Sequence, residues 1–153
     1  MPESFHKPRV LPLAWLVAAL IAMFCLDRWF PVFSLVQAPY NWSGLGLTIP
    51  GLAITLHSGI AFLKVKTGLL PFSEASQLVT DGLYRYSRNP MYLGMAAFLF
   101  GLAILYGSLS VVVPAFLFVW IIDRQFIRNE ELFLLDTFGS DYREYLESVR
   151  RWI

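Results

Sequence analysis

Charge enters this chain in blocks separated by long apolar runs. Residues 10–26 carry no charge, and Trp29 and Phe30 follow where an interfacial aromatic belt belongs, so a first membrane span is predicted over 10–30. A second uncharged run, residues 43–63, is long enough at about 1.5 Å per residue to cross a hydrocarbon core of about 30 Å, with a kink expected at Pro50. Residues 91–122 are also uncharged throughout. One helix of that length would measure roughly 48 Å, too long for one ordinary crossing. A break at Gly107-Ser108 is therefore predicted, with spans over 91–106 and 109–123 forming a tight helical hairpin.

The polar segments complete the outline. Residues 64–90 form the one long polar connection, holding Lys64, Lys66, Glu74, Asp81, Arg85 and Arg88. Residues 124–153 form a charged C-terminal segment with two local patterns. In the first, Phe126, Leu132, Phe133 and Leu135 accompany Arg128, Glu130 and Glu131 on a helix leaving the membrane. In the second, Gly139 suits a helix C-terminus, and Asp141 with Glu144 resembles a capping box. Tyr142, Tyr145, Leu146 and Val149 then share one apolar face, suited to a membrane surface or to the protein body. The expected fold is all-α, one integral membrane domain over 1–153 with four transmembrane helices and C-terminal amphipathic helices.

Composition agrees: 57% of the chain is hydrophobic and 15% charged, far more apolar than a soluble domain of 153 residues. Scattered arginines bordering apolar runs give no basic stripe, which argues against nucleic acid as a partner. Of the 12 lysines and arginines, all but Arg28 fall on one side if the N-terminus is cytoplasmic. The positive-inside rule thus predicts a multi-pass protein with both termini and the 64–90 loop in the cytoplasm. The first apolar run has no small-x-small cleavage site before Asp27, so it is expected to be a retained helix. Cys25, the one cysteine, has no intrachain disulfide partner and reads as a packing residue. No oligomeric state follows from the pattern.

Familiar soluble-enzyme signatures are missing: there is no P-loop, no Gly-x-Ser-x-Gly, no His-Glu-x-x-His and no carboxylate cluster with metal-ligand spacing. Gly44-Leu-Gly46 lacks the third glycine of a dinucleotide fingerprint and lies inside a span. His57, alone in the second span, is expected to bond a neighbouring helix rather than to catalyse. Chemistry concentrates instead in the segment Leu78-Val-Thr-Asp-Gly-Leu-Tyr-Arg-Tyr-Ser-Arg-Asn-Pro-Met-Tyr-Leu-Gly94. Gly82 and Pro90 punctuate its backbone, Arg85 and Arg88 carry fixed positive charge, and Tyr84, Tyr86 and Tyr92 offer aromatic faces beside a buried helix. An interfacial belt of Tyr and Arg anchors would have the same composition, but not this ordering.

The ordering Leu-Val-Thr-x-Gly-x-Tyr-Arg-x-x-Arg-Asn-Pro-Met-Tyr-Leu-Gly, followed by Glu130-Glu131 and by Phe138-Gly139-x-x-Tyr142-x-x-Tyr145, resembles the isoprenylcysteine carboxyl methyltransferase family. That family is grouped with the phospholipid methyltransferases, integral membrane enzymes that use S-adenosylmethionine. The resemblance runs from Lys64 to Arg151. It implies a cofactor pocket wrapped by the loop, the helical hairpin after it and the glutamate pair, with Tyr84, Arg88, Asn89, Pro90, Tyr92, Gly94, Glu130 and Glu131 as cofactor-binding residues. Asn89 stands where the eukaryotic prenylcysteine enzymes typically carry histidine. That change resembles bacterial relatives and leads to the expectation of a bacterial inner membrane.

The implied reaction is methyl transfer from S-adenosylmethionine to an oxygen, sulfur or nitrogen of an amphiphilic, lipid-like acceptor that reaches the site from the bilayer. Arg88 and Glu130 are the residues expected to act at the reacting end, Arg88 by holding an anionic group, with Tyr84 and Tyr92 lining the methyl-donor side. Such a transfer needs alignment and desolvation more than an acid or base. Two other classes stay open: a small four-helix transporter or adaptor, and a membrane reductase using a nicotinamide cofactor.

Overall fold

The computed structural model describes residues 11–64 and 78–153. The stretch with Lys7 and Arg9, and the part of the polar loop with Lys66 and Glu74, lie outside them. Six helices carry the fold: α1 (Pro12–Trp29), α2 (Leu45–Lys64), α3 (Pro90–Tyr106), α4 (Leu109–Ile122), α5 (Arg128–Phe138) and α6 (Ser140–Ser148). Short 3-10 turns at Tyr40–Gly44 and Gly82–Arg85 precede α2 and α3. No strand longer than a single bridge occurs among the described residues.

The helix ends follow from local chemistry. Proline opens α1 and α3, where a missing N–H costs nothing and the fixed φ suits a helix. Gly107 ends α3 in the left-handed region at φ 74°, and its N–H bonds the Ala103 carbonyl. The chain restarts as α4 at Leu109 and does not break at Ile122. A π-helical turn over Asp123–Ile127 carries it into α5, giving one continuous helix, Leu109–Phe138, of 30 residues. That helix and Pro12–Trp29 are each long and apolar enough to cross a bilayer, while α3 is a shorter apolar helix.

The capping box expected at Asp141 and Glu144 does not form. Gly139, at φ 54°, ends α5 and directly precedes α6, which starts at Ser140 with no side-chain cap. Only glycine makes that sharp corner without strain, so Asp141 falls inside the first turn rather than at the cap.

The most extensive contact joins α2 and α3 in antiparallel fashion. Gly44 lies against Gly101, and Gly51 against Gly94 and Phe98. A Cβ added to Gly51 would come within 2.5 Å of the Phe98 nitrogen, and one added to Gly94 within 2.5 Å of Thr55 Oγ1. Thr48 and Thr55, on the same face, donate back to the Gly44 and Gly51 carbonyls at 2.9 Å. Small residues at these positions let the two backbones meet, the usual device where helices pack in lipid. On the other side of α3, Met23 of α1 and Val111, Ala115, Phe118 and Ile122 of α4 bury against Leu99.

At one end of the bundle the α1–α2 connection lies on the α3–α4 turn. Leu35 N–H donates to the Gly107 carbonyl at 2.7 Å, and Leu109 N–H to that of Val32 at 3.1 Å. The outer surface is apolar: Leu13, Ile21 and Phe24 on α1, Ile49 and Leu56 on α2, and Val113, Phe116 and Trp120 on α4 are all exposed. His57 is exposed on α2 with this set rather than bonded to a neighbouring helix. No bond from its side chain to a neighbouring helix occurs among the described residues, and the expectation of one is corrected.

Candidate functional site

At the opposite end, the segment before α3 meets α5, α6 and the tail. Gly82, at φ 65°, turns the chain so that Tyr84 is buried in the 3-10 turn. The Tyr84 carbonyl accepts from Tyr145 Oη at 2.6 Å, which ties the turn to α6. Tyr142 is also buried, so of the two settings open to the apolar face of α6, the protein body holds its tyrosines. Ser87 is buried and its Oγ accepts from the Asn89 N–H at 3.1 Å, closing the step into Pro90.

Two carboxylates project from α5 into this junction. Glu130 Oε1 accepts from Tyr92 Oη at 2.8 Å. Glu131 is gripped by two guanidinium groups. Arg88 Nη2 donates to its Oε1 at 2.9 Å, and Arg151 donates through Nε to Oε1 at 3.0 Å and through Nη2 to Oε2 at 2.6 Å. Arg151 Nη1 also reaches Asp123 Oδ1 at 3.3 Å. Arg88 spends Nη1 on the Leu146 carbonyl at 3.0 Å, while its Nε is buried and meets no acceptor among the described residues.

The tail closes the junction. Arg88 N–H donates to the Arg150 carbonyl at 3.0 Å, and the Arg151 carbonyl accepts from Asn89 Nδ2 at 3.1 Å and Ser87 Oγ at 3.4 Å. Trp152 packs against the core beside them.

The electrostatics separate the two glutamates. Burial pushes the Glu130 carboxyl up to about 7, with the Tyr92 hydroxyl pulling it down and the Glu131 charge raising it further. Burial also holds the Tyr84 and Tyr142 phenols well above their ordinary range and the Tyr145 phenol up to about 12. The bond to Glu131, ahead of the other influences, raises Arg151. A carboxylate between two arginines is compensated, whereas one facing only a tyrosine hydroxyl keeps unspent acceptor capacity.

Of the residues that the sequence singles out, Tyr84, Arg88, Asn89, Pro90, Tyr92, Glu130 and Glu131 come together here. Gly94 does not. Two residues beyond Tyr92 it turns to the other face of α3, where it makes room for Thr55 of α2. Arg88 is also more committed than its expected anion-holding role supposes, because both terminal nitrogens already have protein acceptors. Sequence reasoning passed over Asp123, Ser87 and Arg151. The available signal was a charge count: two adjacent glutamates at a buried junction need more positive charge than Arg88 supplies.

Fold and site together define an all-α, membrane-associated protein with a polar junction at one end of an apolar bundle. Residues 39–141 match the family model of the phospholipid methyltransferases, and the chain belongs to that family. It is 36% identical over 72 residues to the protein-S-isoprenylcysteine O-methyltransferase of Schizosaccharomyces pombe, covering 47% of this chain and 30% of that one. To the A form from Arabidopsis thaliana it is 37% identical over 78 residues, 51% of this chain and 40% of that one. Its fold is similar to the solved structure of a eukaryotic intramembrane Ras methyltransferase, isoprenylcysteine carboxyl methyltransferase. The TM-score there is 0.66 at 26% identity, covering 92% of this chain and 51% of that one. The chain thus spans about half the length of that protein, and less of the two curated relatives. These relatives are eukaryotic, so the comparisons give the expected bacterial inner membrane no support.

Proposed function

We propose that this chain is an S-adenosylmethionine-dependent methyltransferase acting on an amphiphilic, membrane-embedded acceptor, with carboxyl methylation of an isoprenylcysteine-like group as the precedent of its relatives. In this reading all four apolar helices cross the bilayer, α3 and α4 as a hairpin, and α5, α6 and the tail lie on the cytoplasmic side. The observation that carries the proposal is the pairing of Tyr92 with Glu130 and of Arg88 with Glu131, which joins the segment before and at the start of α3 to α5.

The donor set fits the cofactor. A ligand with a sulfonium, an ammonium, a carboxylate and an adenine requires aromatic faces, an under-compensated carboxylate and a buried donor. Tyr84, Tyr92 and Tyr142 offer the first, Glu130 the second and Arg88 Nε the third. S-adenosylmethionine bound there would supply an electrophilic methyl carbon. The chain's own contribution is positional: Glu130 meets positive charge, Glu131 fixes the Arg88 fork, and the tyrosines exclude water. Positioning of this kind can be worth roughly 7 to 11 kcal/mol. The transporter reading gains nothing, since His57, the titratable side chain within the second span, faces outward.

Calorimetric titration of detergent-purified protein with S-adenosylhomocysteine tests the proposal. Saturable binding is expected, weakened about tenfold in Glu130→Gln, which keeps the Tyr92 contact but removes the charge. A well-folded wild-type protein that binds none, in detergent or in nanodiscs, would overturn it.

A further inference from the structure

Arg151 lies beyond α6, in a segment that is already extended at Val149. Its side chain nevertheless makes more charged contacts than any other basic residue of the junction, two to Glu131 and one to Asp123. We infer that Arg151 is a positioning residue of the cofactor site, acting through Glu131 to fix the Arg88 guanidinium; the inference rests on the methyltransferase reading above.

Arg151 takes both oxygens of Glu131, so the carboxylate is held in one plane. Its Oε1 also receives Arg88 Nη2, while the Leu146 carbonyl receives Nη1. A planar guanidinium pinned at two corners has its third nitrogen, Nε, aimed in a set direction, and that is the nitrogen without an acceptor among the described residues. Asp123 holds Arg151 from the other side. Without Arg151, Glu131 would keep one cationic partner and could rotate about its terminal torsion, and Arg88 would follow it.

The main chain of the same residue has a separate task. Its carbonyl accepts from Asn89 and Ser87, and substitution of the side chain leaves those bonds in place. The tail therefore stays seated in Arg151→Ala, and loss of the side chain can be read on its own.

The test is a double-mutant cycle read by S-adenosylhomocysteine titration, with ligand-free thermal melting alongside. Arg151→Ala is expected to weaken binding about tenfold, and adding it to Glu131→Gln to weaken binding no further than Glu131→Gln alone. Arg151→Lys, which keeps the charge and loses the fork, is expected to fall between wild type and Arg151→Ala, and it decides the matter if Arg151→Ala melts below the titration temperature. Wild-type affinity in Arg151→Ala, or losses that multiply in the double variant, overturn the inference while leaving the methyltransferase reading intact. A wild-type protein that binds no S-adenosylhomocysteine overturns that reading and this inference with it.

Discussion

Because neighbouring side chains on a helix diverge by about 100°, Glu130 and Glu131 meet different surroundings, and the pair divides its work. Glu131 is compensated by Arg88 and Arg151, whereas Glu130 is desolvated and faces a phenol. The second situation has a measurable sign. A carboxyl whose folded value stands at about 7, above the ordinary 4.5, binds its proton more tightly in the folded chain. Its contribution to stability is fully present below about 4.5 and is lost as pH rises through about 7. Ligand-free protein should therefore lose stability across that window, by up to roughly 3 kcal/mol before solvent screening, and Glu130→Gln should flatten the slope. Thermal melting in detergent at several pH values would show it; parallel slopes in the two proteins would contradict the assignment. Removing Arg88 leaves Glu131 with Arg151 but strips a buried junction of a cation, so Arg88→Ala should destabilise by about 3 kcal/mol or more in the same assay.

Helices were the most legible part of the sequence because charge is a coarse signal in an apolar chain. The helices α1 to α4 begin and end within two residues of the stretches expected from the charge pattern, and Gly107 marks the break by the same left-handed geometry that ends many helices. What could not be read was the face each helix presents. Gly94 sits inside the most informative motif of the chain, yet its neighbours are Gly51 and Thr55 of α2. The π turn at Asp123–Ile127 was equally hidden. It buries the adjacent Phe126 and Ile127 completely, a placement that no regular helical period foretells. Gly94→Leu or Gly51→Leu should force α2 and α3 apart and cost at least about 1–3 kcal/mol. Gly46→Leu, where an added Cβ meets nothing within 4 Å, should be near neutral. Melting temperatures of the three variants in one detergent would check this.

Across the whole molecule, the two ends differ in kind. One end is closed by backbone hydrogen bonds between the α1–α2 connection and the Gly107 turn, the other by charged side chains from α5 and the tail. The positive-inside reading assigns the charged end to the cytoplasm. In a Cys25→Ser background, an impermeant maleimide applied to intact cells should label Ser34→Cys and not Ser140→Cys, which should label only after permeabilisation. Labelling of both from one side would overturn the topology. The tail was the least legible part of the site, because Arg151 stands 20 residues beyond its partner Glu131 and nothing local announces the meeting. Only the assembled charge balance of the junction identifies it.

The seating of Trp152 gives the protein an optical reporter of its own. Four other tryptophans, Trp15, Trp29, Trp42 and Trp120, lie on α1, α4 and the approach to α2. With those four replaced by phenylalanine, the emission of the remaining indole would read the polarity around the tail alone. A blue-shifted spectrum would mark the chain end docked beside Arg88 and Asn89, and a shift to the red would mark its release, so the state of the junction could be followed in real time.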